Sequence, residues 1–228
     1  MSQRSNGHAH PSSISSKIRL GMTWAVMGAM VALMMLTGTT MASAEQTATE
    51  SVKNTIDEVI HILTSEELNQ PDRSMERRQK IEQVIRQRVN YADMAKRALG
   101  RHWIELSDTE RQEFVALFIQ LLRDTFACRI DNYVDEQVLY LSERQEGNFA
   151  EVRAKLSGPK AETLLDFQLA DEFGRWYVHD VVIDGVGIVS NYHAQFISIL
   201  RDHSYAGLTT KMKEKTLVVK AFETTMAP

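Results

Sequence analysis

The feature that most constrains the fold is a run of four segments, between residues 137 and 183, in which apolar and polar side chains alternate. Strict alternation of this kind is typical of β-strands with one buried face. It predicts strands at residues 137–141, 149–156, 163–170 and 175–183. Glycine, proline, asparagine and aspartate separate the segments, and these residues favour tight turns. Because the connections are short, the segments predict an antiparallel meander.

Amphipathic helices precede and follow this predicted sheet. The longest is expected after Ser107, which forms a capping-box sequence with Glu110 and opens a stripe rich in Phe and Leu. After the last strand, the corner Gly185-Val186-Gly187 leads into predicted helices at 188–203 and 208–215. Helices first, strands next and helices last predict an α+β fold, with one antiparallel sheet covered on one face by helices.

The amino-terminal segment has the layout of a secretory signal peptide. Residues 1–18 are polar with basic side chains, residues 20–36 are almost continuously apolar, and Ala42 and Ala44 provide a small-residue cleavage site. We therefore expect export with cleavage after Ala44, a folded domain at 45–216 and a tail at 217–228. The alternative is an uncleaved membrane anchor, because residues 20–41 are nearly long enough to span a bilayer.

The composition of the chain after Ala44 limits its partners. The leader contains three basic residues and no acidic ones, so the remaining 184 residues carry 23 basic and 30 acidic side chains, a net charge of −7. This charge argues against nucleic acid as a partner. The single cysteine excludes an internal disulfide, so the fold must rely on packing.

Familiar catalytic and metal-binding motifs are absent from the sequence, and its histidines are scattered singly. The residues therefore predict no catalysis, no metal and no cofactor. Apolar side chains are instead concentrated on the long helix, on one face of the sheet and on the helix after Gly185. A sheet combined with helices in this way can enclose an apolar cavity, and such cavities are natural ligand sites.

Several stretches of the sequence resemble the MlaC family, also called toluene-tolerance or phospholipid-binding auxiliary proteins of ABC transporters. They are A-D-M-A-K-R-A-L-G-R-H-W at 92–103, W-Y-V-H-D-V-V-I-D-G-V at 176–186 and N-Y-H-A-Q-F at 191–196, with further similarity at 107–118, 125–127 and 165–168. The chain departs from the family pattern at Gly187, where Ser is usual, at His193, where Arg is common, and at 205–207.

The resemblance implies an NTF2-like α+β fold whose curved sheet and helices enclose an apolar cavity. It implies a periplasmic shuttle that carries phospholipid as cargo, without catalysis, and maintains lipid asymmetry of the outer membrane. Its partners would be an outer-membrane lipoprotein–porin complex and an inner-membrane ABC transporter with an MCE-domain subunit.

Candidate lipid-contacting residues are the large apolar side chains on the inward faces of the predicted elements. They are Leu99, Trp103, Phe118, Leu122, Phe126, Ile130, Tyr133, Val152, Ala154, Phe167, Val181, Ile183, Ile188, Tyr192 and Phe196. Arg97, Arg101 and Arg175 are candidates for the lipid phosphate, because guanidinium groups match phosphate geometry.

Two alternative functions remain open from the sequence. One is an NTF2-like lyase or isomerase acting on a hydrophobic substrate, which requires Asp166 or His179 to face the cavity. The other is a membrane-anchored interaction domain.

Overall fold

The structure, a computed structural model, describes residues 46–131, 133–134, 136–159 and 162–217, without the side chains of residues 128, 129 and 131. The predicted leader at 1–44 and the tail after residue 217 lie outside this range. Within it, no helix combines the length and the apolar character needed to cross a bilayer.

The described part of the chain contains six α-helices. Four precede the sheet and two follow it: α1 (Ala48–Leu63), α2 (Ser74–Arg86), α3 (Tyr91–Leu99), α4 (Asp108–Asp131), α5 (Ile188–Asp202) and α6 (Tyr205–Lys213). Short 3-10 helices lie at Pro71–Arg73 and Gly100–Glu105.

The ends of the helices follow from local hydrogen bonds. Thr47 and Glu50 form a capping box at the start of α1. The capping box predicted for the longest helix is present at α4, where the Glu110 carboxylate accepts from the Ser107 amide at 2.8 Å. The Glu110 amide in turn donates to the Ser107 hydroxyl at 3.3 Å.

The sheet has five antiparallel strands in sequence order. They are β1 (Gln137–Glu146), β2 (Phe149–Ser157), β3 (Glu162–Asp171), β4 (Trp176–Ile183) and the short β5 (Val186–Gly187). The register pairs Val152 with Phe167 and Phe167 with Val181. Beyond β5, the edge of β4 is covered by the segment after α2, because Asn90 and Arg88 exchange backbone hydrogen bonds with Val178.

Two-residue turns connect the later strands. Asp184 and Gly185 have φ angles of 48° and 83°, and Phe173 and Gly174 have φ angles of 58° and 79°. Positive φ at both central residues defines the type I′ turn, whose twist matches that of antiparallel strands. The turn predicted at Asp184-Gly185 is therefore confirmed, and the chain leaves it as β5 before α5 begins.

One face of the sheet carries the helices and the other meets solvent. On the solvent face, Arg153 of β2 forms an ion pair with Asp166 of β3 at 2.5 Å, and Lys155 pairs with Glu162 at 2.9 Å. On the other face, α1 packs against β1 and β2, while α3 and α5 pack against β4. The α+β class, with one antiparallel sheet covered on one face, is confirmed.

The buried apolar residues form two clusters. The larger one joins α3, α4, α5 and α6 to the end of β4, and its centre contains Phe114, Phe118, Tyr192 and Phe196. The smaller one joins α1 to β2, β3 and β4 around Val152 and Leu169. A domain usually has one contiguous core, so this division indicates that a space separates the two clusters.

Two of the predicted strand and helix bounds differ from the structure by three residues or more. Strand β1 continues five residues past 141, because its backbone pairs with β2 through Glu146 although these side chains are exposed and polar. Helix α6 begins at Tyr205, three residues before the predicted start. Leu217, the first residue of the predicted tail, is buried in the larger cluster.

Candidate functional site

A cavity of about 340 Å³ lies between the helix-covered face of the sheet and helices α1, α2 and α4. We refer to its 27 lining residues as the cavity wall. They are Ser51, Val52, Thr55, Ile56, Val59, Arg78, Ile81, Glu82, Ile85, Arg88, Val89, Tyr91, Met94, Ile119, Leu122, Arg123, Phe126, Ala127, Ile130, Leu165, Phe167, Leu169, Trp176, Val178, Val181, Ile183 and Ile188.

The strands contribute a continuous apolar surface to this wall. Alternation along β3 places Leu165, Phe167 and Leu169 on the same face. In β4 the alternation is broken, because the register between β3 and β4 shifts where Gln168 pairs with Asp180 and Leu169 with Val178. Because of this bulge at His179, wall residues lie on both sides of it: Trp176 and Val178 before it, and Val181 and Ile183 after it.

The helices contribute stripes with helical spacing. On α1 the stripe runs from Val52 through Ile56 to Val59, and on α4 it runs from Ile119 to Ile130. The wall takes residues from both core clusters, including Val52 from the smaller one and Leu122 from the larger one. The cavity therefore occupies the space where the two clusters would otherwise meet.

Four charged residues lie in the wall: Arg78, Glu82, Arg88 and Arg123. Glu82 accepts hydrogen bonds from Arg86 of its own helix and from Arg123 of α4, both at 2.6 Å. Burial raises the pKa of the Glu82 carboxyl, but the bonds to both guanidinium groups outweigh it and leave this pKa lowered. Glu82 is therefore an anion that links α2 to α4 beside the cavity.

Tyr91 of α3 lies in the wall near this ion pair. Burial, with the Glu82 charge as a second cause, raises the pKa of its phenol to about 12. The Tyr91 hydroxyl is therefore neutral at physiological pH.

The corner between the sheet and α5 is held by Asp180. Its carboxylate accepts hydrogen bonds from the amides of Val181 at 2.8 Å and Val189 at 3.1 Å, so it caps the start of α5. A side chain at Gly187 would approach Asp180 Oδ2 to 3.4 Å and Ser190 Oγ to 2.9 Å. Burial raises the pKa of Asp180. Asp180 thus positions Ile188, the first residue of α5, in the wall.

Seven of the fifteen apolar residues proposed from the sequence line the cavity. They are Leu122, Phe126, Ile130, Phe167, Val181, Ile183 and Ile188. Their contact with a ligand remains a prediction.

The other eight lie outside the wall. Leu99, Phe118, Tyr192 and Phe196 are fully buried in the larger cluster, and Val152 and Ala154 are fully buried on β2. Trp103 packs edge-on against Phe114 at the border of the larger cluster, and the Tyr133 hydroxyl donates to the Glu136 carbonyl at 3.3 Å. These side chains therefore have packing or hydrogen-bond partners in the protein and do not line the cavity. The sequence could not separate the two groups, because core and wall residues share one periodicity.

The three arginines proposed for a phosphate also lie outside the wall. Arg97 donates to His179 Nδ1 at 2.7 Å and to the His179 carbonyl at 2.9 Å. Arg101 and Arg175 are exposed, in the 3-10 helix after α3 and in the turn before β4. The sequence proposed them because guanidinium groups match phosphate geometry, and their contact with a phosphate remains a prediction.

The groups required by the enzyme alternative lie elsewhere too. Asp166 is on the solvent face, paired with Arg153. His179 occupies the bulge of β4 and accepts from Arg97, and its pKa is lowered by burial and by the Arg97 charge. Neither residue belongs to the wall.

Sequence reasoning missed the contribution of α1 and α2 to the wall. Their apolar stripes were visible in the spacing of Val52, Ile56 and Val59 and of Ile81 and Ile85. Nothing in one sequence indicates that these stripes face a cavity rather than a filled core. Among the described residues, no group of three or more potential metal ligands lies together.

These features define a class: an α+β protein with an apolar cavity between its sheet and its helices. A family model described as MlaC protein matches residues 53–214, more than two thirds of the chain. The chain belongs to the MlaC family.

One curated relative and one solved structure are similar to the chain. The intermembrane phospholipid transport system binding protein MlaC of Haemophilus influenzae is 26% identical over 132 residues, 55% of this chain and 62% of that protein. The match thus spans somewhat less than two thirds of the relative. The phospholipid-binding protein from Ralstonia solanacearum, solved in complex with a phospholipid, has a TM-score of 0.65 at 23% identity. The match covers 72% of this chain and 94% of that one, which shows a shared fold.

Proposed function

We propose that this protein is a phospholipid carrier that holds acyl chains in the cavity and performs no chemistry on them. The observation that carries the proposal is the cavity itself, an apolar space of about 340 Å³ left between two core clusters. This volume lies within the range of roughly 300–1000 Å³ that is common for ligand pockets. Membership of the MlaC family and the phospholipid bound to a protein of the same fold support it.

The energetics of burial fit a carrier. Each methylene moved from water into an apolar site contributes about 0.8 kcal/mol, so ten of them contribute roughly 8 kcal/mol, equivalent to a Kd of about 1 µM. Loss of lipid into water is therefore unfavourable. Transfer to a bilayer or to another apolar site is nearly neutral, because both environments are apolar. Such a carrier needs direct contact with its donor and acceptor.

We further propose that the protein works in the periplasm after removal of residues 1–44. Its partners would be an outer-membrane lipoprotein–porin complex and an inner-membrane ABC transporter with an MCE-domain subunit. The basis is the leader-like sequence and the family. Amino-terminal sequencing of the exported protein tests the first part: a chain that begins at Glu45 supports cleavage, and one that retains residues 20–41 supports an anchor.

The test of the function is native mass spectrometry of the protein purified without detergent, followed by lipid extraction. We expect a mass excess that matches phospholipid, and the extract then identifies the headgroup and the number of acyl chains. A protein without bound lipid, and unable to take it up from vesicles, would contradict the proposal.

A pair of variants in β4 localises the binding. Val181 lies in the wall, whereas its neighbour Val182 does not and pairs with Gly187 of β5. We expect Val181→Glu to abolish lipid retention, because a carboxylate would be desolvated against acyl chains. Val182→Glu, the matched control, should retain lipid. Equal retention by both folded variants would mean that the cavity is not the lipid site.

A further inference from the structure

Arg88 is an unusual residue of the cavity wall. Five arginines of the described part are at least partly buried: Arg73, Arg77, Arg78, Arg88 and Arg111. Arg73 pairs with Glu67, Arg77 with Asn69 and Arg111 with Asp108, and Arg78 also has a partner. For Arg88, no hydrogen bond or ion pair joins the guanidinium to any residue that the structure describes. Among the described residues, the buried side-chain nitrogens and oxygens that lack a partner do not include those of Arg88. Its guanidinium therefore keeps contact with solvent and is free to bind an anion that enters the cavity.

The backbone holds Arg88 in a fixed position. Its amide donates to the Ile85 carbonyl at 3.0 Å at the end of α2, and its carbonyl accepts from the Val178 amide of β4 at 2.8 Å. The next residue, Val89, forms a parallel bridge with Val178. The backbone of Arg88 is therefore anchored to the sheet edge, so binding of an anion has to order only the side chain.

The other charged residues of the wall do not bind the Arg88 guanidinium. Glu82 is the one carboxylate among the described wall residues, and Arg86 and Arg123 both bind it at 2.6 Å. The strands contribute only apolar side chains to the wall, from Leu165 to Ile183. An amphiphile in the cavity would therefore place its tails against the sheet and its anionic group towards the end of α2.

We propose that Arg88 binds the phosphodiester of the carried lipid. This inference rests on the proposed function, because the tails bring the phosphate to the cavity. A guanidinium donates two parallel hydrogen bonds to phosphate oxygens, which adds both affinity and orientation. Arg88 thus selects lipids with a phosphate over neutral lipids with the same tails.

The experiment compares two lipids that differ only at the headgroup. Lipid-free wild-type protein is titrated by native mass spectrometry with dioleoylphosphatidylglycerol and with dioleoylglycerol, which lacks the phosphate. The same titrations are made with Arg88→Gln, Arg88→Lys and Arg144→Gln. Arg144 is an exposed β1 residue outside the wall and provides the matched control for loss of one charge. A further arm adds millimolar inorganic phosphate to distinguish a lipid phosphate from the free ion.

We expect Arg88→Gln to raise the Kd for the phospholipid about tenfold or more, and to leave the Kd for dioleoylglycerol unchanged. Arg88→Lys should retain part of the preference for the phospholipid over dioleoylglycerol, and Arg144→Gln should retain all of that preference. Inorganic phosphate should not displace the phospholipid, because it lacks tails.

Three results would overturn the inference. If Arg88→Gln weakens the binding of both lipids by the same factor, Arg88 is only part of the wall. If it changes the binding of neither lipid, Arg88 has no role in binding. If inorganic phosphate binds wild type but not Arg88→Gln, and the two lipids bind equally, the site takes a free anion. In these cases the carrier function stands, whereas wild-type protein that binds neither lipid overturns both.

Discussion

At the scale of single residues, the same chemical type serves two purposes in this protein. Phe126 and Phe196 both lie on apolar helix stripes, but Phe126 lines the cavity and Phe196 is fully buried against Phe114 and Tyr192. The two roles make different demands. A core side chain supports the folded state through packing, whereas a wall side chain offers its surface to a ligand.

Truncating these two residues should separate stability from binding. We expect Phe196→Ala to lower the free energy of unfolding by about 3–5 kcal/mol, because it leaves a void among packed rings. Phe126→Ala should cost less stability, because its ring already borders empty space, and should weaken lipid binding. Urea unfolding of lipid-free protein and native mass spectrometry measure the two effects. Equal losses of stability would contradict the assignment of Phe126 to the wall.

At the scale of secondary-structure elements, turn chemistry and backbone pairing set the bounds. Asp184-Gly185 suits the type I′ turn that it forms, whereas the turn Phe173-Gly174 does not have a favourable first residue. Phe173 has a φ of 58° and is fully exposed. The turn forms nevertheless, because Glu172 and Arg175 exchange two backbone hydrogen bonds and Glu172 accepts from Asn90 at 2.7 Å.

Replacing the strained residue should stabilise this hairpin. A left-handed backbone costs an ordinary L-residue about 1–2 kcal/mol, and Asn-Gly is a preferred type I′ pair. We therefore expect Phe173→Asn to raise the free energy of unfolding by about 1 kcal/mol, as measured by urea denaturation. Phe149→Asn removes another exposed ring from an extended strand residue and should give no gain. A loss of stability in Phe173→Asn would show that the ring contributes contacts in the folded state.

At the scale of the whole molecule, the cavity divides the core. The two clusters each bury apolar surface, but the residues between them face a space instead of each other. On the proposed function, a bound lipid would supply the packing that the empty cavity lacks, and binding and stability would then be linked.

Bound lipid should therefore stabilise the fold. At a concentration one hundred times the Kd, a ligand adds about 2.7 kcal/mol, which for a domain of this size corresponds to a Tm increase of roughly 5–10 °C. Differential scanning calorimetry of lipid-free protein with added dioleoylphosphatidylglycerol measures this shift. Val181→Glu provides the control and should show no shift. An unchanged Tm in wild type at saturating lipid would contradict a cavity that is completed by lipid.

Much of this protein was determined by its sequence alone. Alternation and turn residues placed four strands and their antiparallel order, and the capping box at Ser107 placed the start of α4, because these signals act between residues near in the chain. Only the tertiary structure decided which inward side chains meet a cavity and which meet each other. Leu122 and Phe118 have the same local pattern, but only Leu122 lies in the wall. Their difference depends on how α1 and α2 pack over the sheet. The position of Arg88 likewise depends on a hydrogen bond between its carbonyl and the amide of Val178, ninety residues further along the chain.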